Sequence, residues 1–190
     1  MSTFRERLRE ADRFFVGRGK VHRTMRRIAK RLEREGIPYA VIGGMAMNAH
    51  GFQRVTTDVD LLISSESLDD IHNKVAGRVF APKSLGARKK LTDTTTGVDV
   101  DLITTSDCAD PCEVCVDIAG LSVIRLEKLI DLKLTSGLRP ERIRDLADVQ
   151  DLIKALSLPR SLGEQIDPSV RDEYYRLWDV SQNGWDPSAE

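Results

Sequence analysis

The stretch VIGGMAMNAHGFQRVTTDVDLLI, residues 41–63, decides the fold expected for this chain. It begins with an apolar run that turns at Gly43 and Gly44, and a short amphipathic segment follows. A second apolar run then carries Asp58 and Asp60. Side chains alternate between the two faces of a β-strand, so we expect the two carboxylates to share one face. The stretch therefore predicts a strand, a glycine turn, a short helix and an acidic strand, in that order.

These features together indicate a site for a metal ion and a nucleotide. Carboxylate oxygens are hard ligands that suit Mg²⁺, and a Gly-Gly turn entering a helix lets backbone N–H groups approach phosphate. Arg54, which precedes the acidic pair, could meet either a phosphate or the two carboxylates. Each feature alone is common as a solvated strand face or a simple turn, so the prediction depends on their combination.

The stretch resembles the nucleotidyltransferase fold of the polymerase-beta superfamily, whose signature is apolar-Gly-Gly/Ser, a spacer, and Asp-x-Asp/Glu. Within that superfamily it is most similar to the small prokaryotic nucleotidyltransferases related to the AbiEii-type toxins. Their pattern runs Gly-Gly-x-Ala and then Gly-x-x-Arg-x-Thr-x-Asp-x-Asp-Leu. The positions that fit are Gly43, Gly44, Ala46, Gly51, Arg54, Thr56, Asp58, Asp60 and Leu61. A weaker similarity extends to about residue 156.

The resemblance implies an α+β fold, with a small mixed sheet flanked by helices, and metal-dependent transfer of an NMP from an NTP such as ATP to an acceptor. We predict that Gly43 and Gly44 contact the nucleotide, and that Arg54 contacts either the nucleotide phosphate or the two carboxylates. The resemblance also implies a third metal-binding carboxylate on a neighbouring strand. In GVDVDLI, residues 97–103, Asp101 is the preferred candidate and Asp99 the alternative, since both share one face. With Asp58 and Asp60, this carboxylate would hold two Mg²⁺ ions about 3.5–4 Å apart, with Mn²⁺ as an alternative ion.

A second part of the resemblance lies in the predicted helical pair of residues 125–160. The AbiEii-like group carries a lysine on the first helix and a basic-Asp-x-x-Asp motif on the second. Lys133, Asp145 and Asp148 take those positions, and Lys128 competes for the role of the lysine. The resemblance implies that Lys133 contacts the nucleotide phosphate. It also implies that Asp145 or Asp148 supports catalysis or orients Lys133.

The charge of the chain is divided unequally. Residues 1–36 hold twelve Lys or Arg and five Asp or Glu, whereas the remaining residues have a net charge of −8. We expect two helices in this basic arm, over residues 3–16 with a capping box from Thr3 to Glu6, and over residues 20–35. A basic arm beside an acidic body could hold RNA or tRNA that the body would repel. The other interpretation is a solvated basic face on two packed helices.

We predict four segments: a basic helical arm (1–36), a nucleotidyltransferase core (37–124), a C-terminal helical pair (125–160) and a tail packing on the body (161–190). The chain has no run of about 18 apolar residues and no apolar leader at its N-terminus, so we expect no membrane span and a cytoplasmic location. Cys108, Cys112 and Cys115 favour a loop of reduced cysteines over a zinc site, because no histidine is adjacent in sequence.

The acceptor is open at this stage. An RNA or tRNA acceptor would make the protein the toxin of an AbiEii-like toxin–antitoxin system, with a cognate antitoxin protein as partner, and the basic arm favours that option. A protein hydroxyl and a small molecule such as an aminoglycoside are the alternatives. A non-catalytic scaffold that keeps the fold would be expected to lose acidic ligands, and this chain has Asp58, Asp60 and one of Asp99 or Asp101.

Overall fold

A computed structural model describes residues 3–104 and 111–182. The described chain divides into two compact units, one formed by residues 1–49 with 53–124 and the other by residues 50–52 with 125–190. Of the three cysteines, Cys108 lies outside the described residues, Cys112 is exposed and Cys115 is partly buried. The four-segment division expected from the sequence stays a prediction.

The first unit contains a seven-stranded mixed sheet with the strand order β3-β4-β5-β2-β1-β7-β6. Strand β2 lies at the centre, antiparallel to β1 and parallel to β5. The strands are β1 (Ala40–Ile42), β2 (Val59–Ile63), β3 (Phe80–Pro82), β4 (Lys90–Asp93), β5 (Val98–Thr104), β6 (Cys115–Ile118) and β7 (Leu121–Ile124).

Four α-helices accompany this sheet in the described part of the chain. The predicted capping box is confirmed, because the backbone N–H of Thr3 donates to Glu6 and that of Glu6 donates to the Thr3 hydroxyl. The helices are α1 (Phe4–Phe15), α2 (Lys20–Arg34), α3 (Gly43–Ala49) and α4 (Ser67–Asp70).

With Ser67 as a cap, the sequence predicts a single helix over residues 67–76, but the structure departs from it after α4. Residues Ile71–Val75 form a π-helical turn, in which the Ala76 N–H donates to the Ile71 carbonyl at 2.8 Å. Both Ile71 and Val75 are buried.

Helix α2 is fixed to the sheet by apolar packing and by one buried carboxylate. Its Met25, Ile28 and Leu32 are buried. Asp93 of β4 is fully buried and accepts hydrogen bonds from the Thr24 hydroxyl at 2.9 Å and from Arg27 at 2.6 Å. A buried charge needs such partners, so these contacts hold the basic helix in one orientation on the first unit.

The second unit is helical. Its helices are α5 (Leu126–Gly137), α6 (Arg144–Ala155) and α7 (Arg171–Gln182), with 3-10 turns over Pro140–Arg142 and Arg160–Gln165.

Glycine allows α5 and α6 to pack closely, because a Cβ atom at Gly137 would lie 2.7 Å from the Leu146 side chain. The sequence predicts a terminal helix from Asp167 to Trp178, whereas helix α7 begins at Arg171. The Asp167 carboxylate instead accepts hydrogen bonds from the N–H and hydroxyl of Ser169, which form a turn.

The α+β architecture predicted from the sequence is confirmed: a mixed sheet with flanking helices, two basic helices before it and a helical pair after it. Within the described ranges, no helix has both the length and the apolar character needed to cross a membrane.

Candidate active site

The acidic residues of the first unit meet because two distant strands pair in register. Strand β2 runs parallel to β5, with Asp60 opposite Asp101, and Ile42 at the end of β1 lies opposite Asp60. Asp58 comes one residue before β2 begins, rather than on the strand as predicted. Its side chain still joins Asp60, since both lie on the side away from buried Val59.

Three half-buried carboxylates, those of Asp58, Asp60 and Asp101, form one cluster. One carboxylate oxygen from each residue lies within 4.8 Å of the other two. The hydroxyl of Thr56, another residue of the sequence motif, donates a hydrogen bond to Asp58 Oδ1 at 2.7 Å. We call this cluster the acidic triad, and its three oxygens could serve as ligands to one cation.

The surroundings of Asp101 fit a divalent cation. Its Oδ2 atom lies 3.1 Å from the Lys90 ammonium. Its Oδ1 atom is buried and has no hydrogen-bond partner among the described residues. A buried carboxylate oxygen without a partner is unfavourable, and a hard cation held between carboxylates would compensate for it. The donor set therefore matches the chemistry of Mg²⁺ or Mn²⁺.

Asp99, the alternative third carboxylate, lies outside the cluster. It accepts a hydrogen bond from the Thr92 hydroxyl at 2.8 Å and forms an ion pair with Lys83. The hydrogen bond from Lys83, more than any other contact, lowers the pKa of Asp99 below its usual value. The Asp99 carboxylate is thus already bound by Thr92 and Lys83. Asp101, and not Asp99, lies beside Asp58 and Asp60.

The Gly-Gly motif makes room for the acidic triad. Gly43 has a φ of +62°, and a Cβ atom there would lie 2.1 Å from Asp60 Oδ2. A Cβ atom at Gly44 would lie 2.9 Å from the Thr56 side chain. Any larger residue at Gly43 would displace the Asp60 carboxylate. The predicted contact of both glycines with a nucleotide stays a prediction.

Asn48 is a residue that the sequence reasoning missed. Its amide donates to the carbonyls of Gly44 at 2.7 Å and Arg54 at 2.6 Å, and its Oδ1 accepts from the Arg54 N–H at 3.2 Å. These bonds fix the loop between α3 and β2. The Arg54 guanidinium lies 3.5 Å from the Met47 sulfur, and its predicted contact with a phosphate is untested. An amide at the end of a short helix was the only available signal.

Lys90 was also missed, because in sequence it adjoins Arg88 and Lys89 and the three together are typical of a solvated basic strand edge. In the structure these three side chains have separate partners. Arg88 pairs with Asp69, Lys89 donates to Thr104, and Lys90 lies opposite Asp101 in the antiparallel pairing of β4 and β5.

The hydrogen bond to Asp101 and its negative charge raise the pKa of Lys90. Lys90 therefore belongs to the acidic triad's surroundings rather than to a general basic edge.

In the second unit, Lys133 of α5 meets both acidic residues of the motif on α6. Its ammonium donates to Asp145 Oδ1 at 3.0 Å and to Asp148 Oδ2 at 2.6 Å. All three side chains are at most one-tenth exposed. Arg142 pairs with the second oxygen of Asp145 at 3.0 Å. We call these four residues the lysine cluster, in which two cations face two anions.

The pKa of Asp145 reflects this balance. Burial acts to raise it, but the charge and hydrogen bond of Lys133 dominate together with other donors, and the pKa stays below its usual value. Lys128, the competing candidate, pairs with Asp131 at 2.9 Å on its own helix and is more exposed. The structure therefore joins Lys133, and not Lys128, to the two acidic residues.

Comparison with known proteins supports the fold. No family model matches the sequence, and no curated protein sequence matches it. JHP933 from Helicobacter pylori has a similar structure, with a TM-score of 0.51 and 16% identity over 86% of this chain and 89% of that one.

Two further structures lie just below that similarity. A candidate nucleotidyltransferase from H. pylori gives a TM-score of 0.49 at 16% identity, covering 84% of this chain and 90% of its own. A candidate nucleotidyltransferase from Thermotoga maritima gives 0.47 at 19% identity, covering 66% of this chain and 91% of its own.

The nucleotidyltransferase fold predicted from the Gly-Gly and Asp-x-Asp motifs is thereby confirmed as a fold. At these identities the likeness concerns architecture, and it leaves the AbiEii-type subgroup a prediction.

Proposed function

We propose that this chain is a metal-dependent nucleotidyltransferase that transfers an NMP from an NTP to an RNA acceptor. The observation that carries the proposal is the acidic triad, in which Asp58, Asp60 and Asp101 converge beside a glycine turn. Paired parallel strands hold two of these carboxylates in register, so the arrangement is part of the sheet and not of a mobile surface.

The triad would hold Mg²⁺, or Mn²⁺ in its place, with room for two ions as the family resemblance implies. Bound there, the metal would neutralise the triphosphate and favour departure of pyrophosphate. In the proposed reaction an acceptor hydroxyl oxygen attacks the α-phosphorus. The bond from that phosphorus to the bridging oxygen of the β-phosphate breaks, and pyrophosphate leaves with the electron pair.

Asp101 is proposed to accept the proton of the attacking hydroxyl. Its Oδ1 atom has no hydrogen-bond partner among the described residues, whereas Asp58 already accepts a hydrogen bond from Thr56. A general base needs a free lone pair aimed at the reacting group. Asp58 and Asp60, together with Asp101, are the residues that would hold the cation.

Lys133 is proposed, from the family resemblance, to contact the nucleotide phosphate. Asp145 and Asp148 would act as positioning residues, because their two hydrogen bonds fix the direction of the Lys133 ammonium. Gly43, Gly44 and Arg54 are proposed as further nucleotide contacts on the same basis.

RNA is preferred as the acceptor because of the charge distribution. The first 36 residues hold twelve basic and five acidic residues, while the rest of the chain is acidic. With an RNA acceptor, the similarity to AbiEii-type toxins would make the protein the toxin of a toxin–antitoxin pair, acting in the cytoplasm. Transfer to a protein hydroxyl or to an aminoglycoside is the alternative that the experiment below separates.

The test is a transfer assay with each of the four NTPs labelled at the α-phosphate, in the presence of Mg²⁺. Total RNA, total protein and an aminoglycoside are offered as acceptors. We expect label on RNA, and we expect Asp60→Asn to lower the rate by about 10³-fold because the carboxylate ligand is lost.

A matched control is Asp99→Asn, which removes one charge from the same face of the sheet outside the triad. It should retain most of the activity. Label on protein or on the aminoglycoside would reassign the acceptor. No transfer from any NTP to any of the three acceptors would overturn the proposal.

A further inference from the structure

A basic groove lies on the first unit, between helix α2 and the segment that joins the π-helical turn to strand β3. Its volume is about 400 Å³. Of the ten residues that line it in the described part of the chain, five are basic and none is acidic. The basic residues are Arg27, Lys30, Arg31, Arg34 and Arg78.

Two of the basic side chains have structural partners within the protein. Arg27 binds the buried Asp93, and Arg31 donates to the Lys74 carbonyl and pairs with Glu35. These contacts explain why both are little more than one-third exposed. They fix the walls of the groove.

The other three basic side chains, those of Lys30, Arg34 and Arg78, are exposed. Arg34 reaches the Glu35 carboxylate at 3.5 Å and remains 63% exposed. Like charges this close repel one another, and an anion in the groove would relieve that repulsion. The groove is thus prepared for a ligand with several negative charges.

The geometry favours an extended anion over a single phosphate. Four of the basic residues, from Arg27 to Arg34, follow the spacing of one helical face. At 1.5 Å per residue the strip they form is about 10 Å long. Arg78 adds a cation from the opposite wall.

The groove offers no surface on which a base could stack. Its aromatic residue, Phe80, is 2% exposed, and its remaining lining residues are small or aliphatic. Recognition of single-stranded bases usually needs exposed aromatic rings. The ligand class that fits is the phosphate backbone of folded or double-stranded RNA, which is recognised by charge and shape.

We propose that this groove holds the backbone of the acceptor RNA. The inference deepens the proposed function and rests on it for the word acceptor, but the binding itself can be tested alone. The acidic remainder of the chain repels a polyanion, and the groove is a part of the first unit where contact with one becomes favourable.

The experiment measures binding without reaction, using the full chain in EDTA and without NTP. Fluorescence anisotropy would follow a labelled RNA duplex of about 20 base pairs, and separately total tRNA, between about 50 and 200 mM salt. The groove variant is Lys30→Ala with Arg78→Ala. The matched control is Arg139→Ala with Lys154→Ala, which removes two exposed basic residues of the helical unit.

We expect the groove variant to bind both RNAs about tenfold or more weakly at 50 mM salt, with the slope of log affinity against log salt reduced by about two. The control should lose much less affinity. Equal losses in both variants, or no RNA binding by the wild type, would overturn the proposal. If the groove variant binds RNA normally but has lost affinity for poly-glutamate, the groove would be a binding site for an acidic protein segment instead of RNA.

Failure of the groove and failure of the catalytic proposal give different results. If the groove variant loses RNA binding and the wild type shows no transfer from any NTP, the groove would still be supported as an RNA-binding site, and the proposed enzymatic activity would be rejected. Transfer to RNA with undiminished RNA binding in the groove variant would keep the enzyme and reject the groove. Mn²⁺ binding by the groove variant should equal that of the wild type and serves as the folding control.

Discussion

The acidic triad and the lysine cluster each bring together acidic residues of a conspicuous motif, but they differ in how their charges are balanced. In the lysine cluster, Asp145 and Asp148 face Lys133 and Arg142, and the central lysine is 8% exposed. In the acidic triad, Lys90 pairs with one oxygen of Asp101, and the other oxygen of Asp101 is buried and lacks a hydrogen-bond partner within the described residues.

This difference separates a cluster whose charges are balanced within the protein from one that can accept a cation. In a buried group of balanced ions, removing one member leaves an uncompensated charge. A half-buried group with a carboxylate oxygen that lacks a partner can gain a cation from solvent. The same residue type, aspartate, therefore has opposite roles in the two clusters, and the four predictions below test that contrast.

The largest effect is expected from Lys133→Met. The change leaves Asp145 and Asp148 buried without their shared cation, which should lower the free energy of unfolding by about 3–5 kcal/mol. Urea unfolding followed by circular dichroism measures it. Lys128→Met on the same helix is the matched control and should cost at most about 1 kcal/mol, since its ion pair is partly exposed. An equal loss in the free energy of unfolding for both variants would show that the buried lysine cluster contributes no more than a partly exposed ion pair.

Gly43→Ala should disturb the acidic triad and leave the lysine cluster unchanged. The new methyl group would displace the Asp60 carboxylate, and a misplacement of about 1 Å can lower a catalytic rate by about 10²-fold. Transfer activity and Mn²⁺ affinity should fall together. Gly36→Ala is the control, because Gly36 has a similar φ of +66° but no atom within 4 Å of the added Cβ. An inactive Gly36→Ala variant would show that backbone strain alone explains the loss.

The contribution of the lysine cluster to the free energy of unfolding should fall only at low pH. Because the pKa of Asp145 is lowered below its ordinary value of 3.8, its ionised form stabilises the fold above that value, and the stabilisation is lost as the pH falls through the folded-state pKa. The stability difference between wild type and Asp145→Asn should be constant from neutral pH to about 4.

Below that pH the difference should shrink by up to about 1.4 kcal/mol per pH unit. Urea unfolding at a series of pH values measures it. If the difference already shrinks near pH 6, then burial, and not Lys133, controls this carboxyl group.

The smallest effect is expected at Lys90, which lies beside the acidic triad. Lys90→Met removes the cation that competes for Asp101, so Mn²⁺ affinity should rise by about two- to fivefold, the size of a partly exposed ion pair. Lys83→Met is the control, since its side chain is also 46% exposed and pairs with Asp99 outside the triad. A rise of equal size in both variants would mean that net charge alone sets the affinity.

The sequence predicted the parts of this molecule that depend on local pattern. Alternation placed Asp60 opposite in direction to Val59 and Leu61, which are buried, and Thr3 with Glu6 predicted the start of the first helix. The choice between Asp99 and Asp101 needed strand pairing, because both lie on one face of one strand and only register brings one of them beside Asp60.

The features that were missed depend on distant partners. Lys90 reaches Asp101 only because β4 pairs with β5 in a particular register, and sequence spacing carries no trace of that pairing. The basic groove likewise needs Arg78 to face α2 across a gap of more than forty residues. Lys133, Asp145 and Asp148 were named in advance because family resemblance, and not pattern alone, pointed to them, whereas Arg142 was not.

The parallel pairing of β2 with β5 has a consequence for how the site forms during synthesis on the ribosome. Asp101 is synthesised roughly forty residues after Asp60, so a nascent chain carries the Gly-Gly motif and the first two carboxylates long before its site is complete. Prematurely terminated products that end before Val98 lack Asp101 and would have no acidic triad. Arrested nascent chains should acquire the Mn²⁺ affinity of the full protein only once β5 has cleared the exit tunnel.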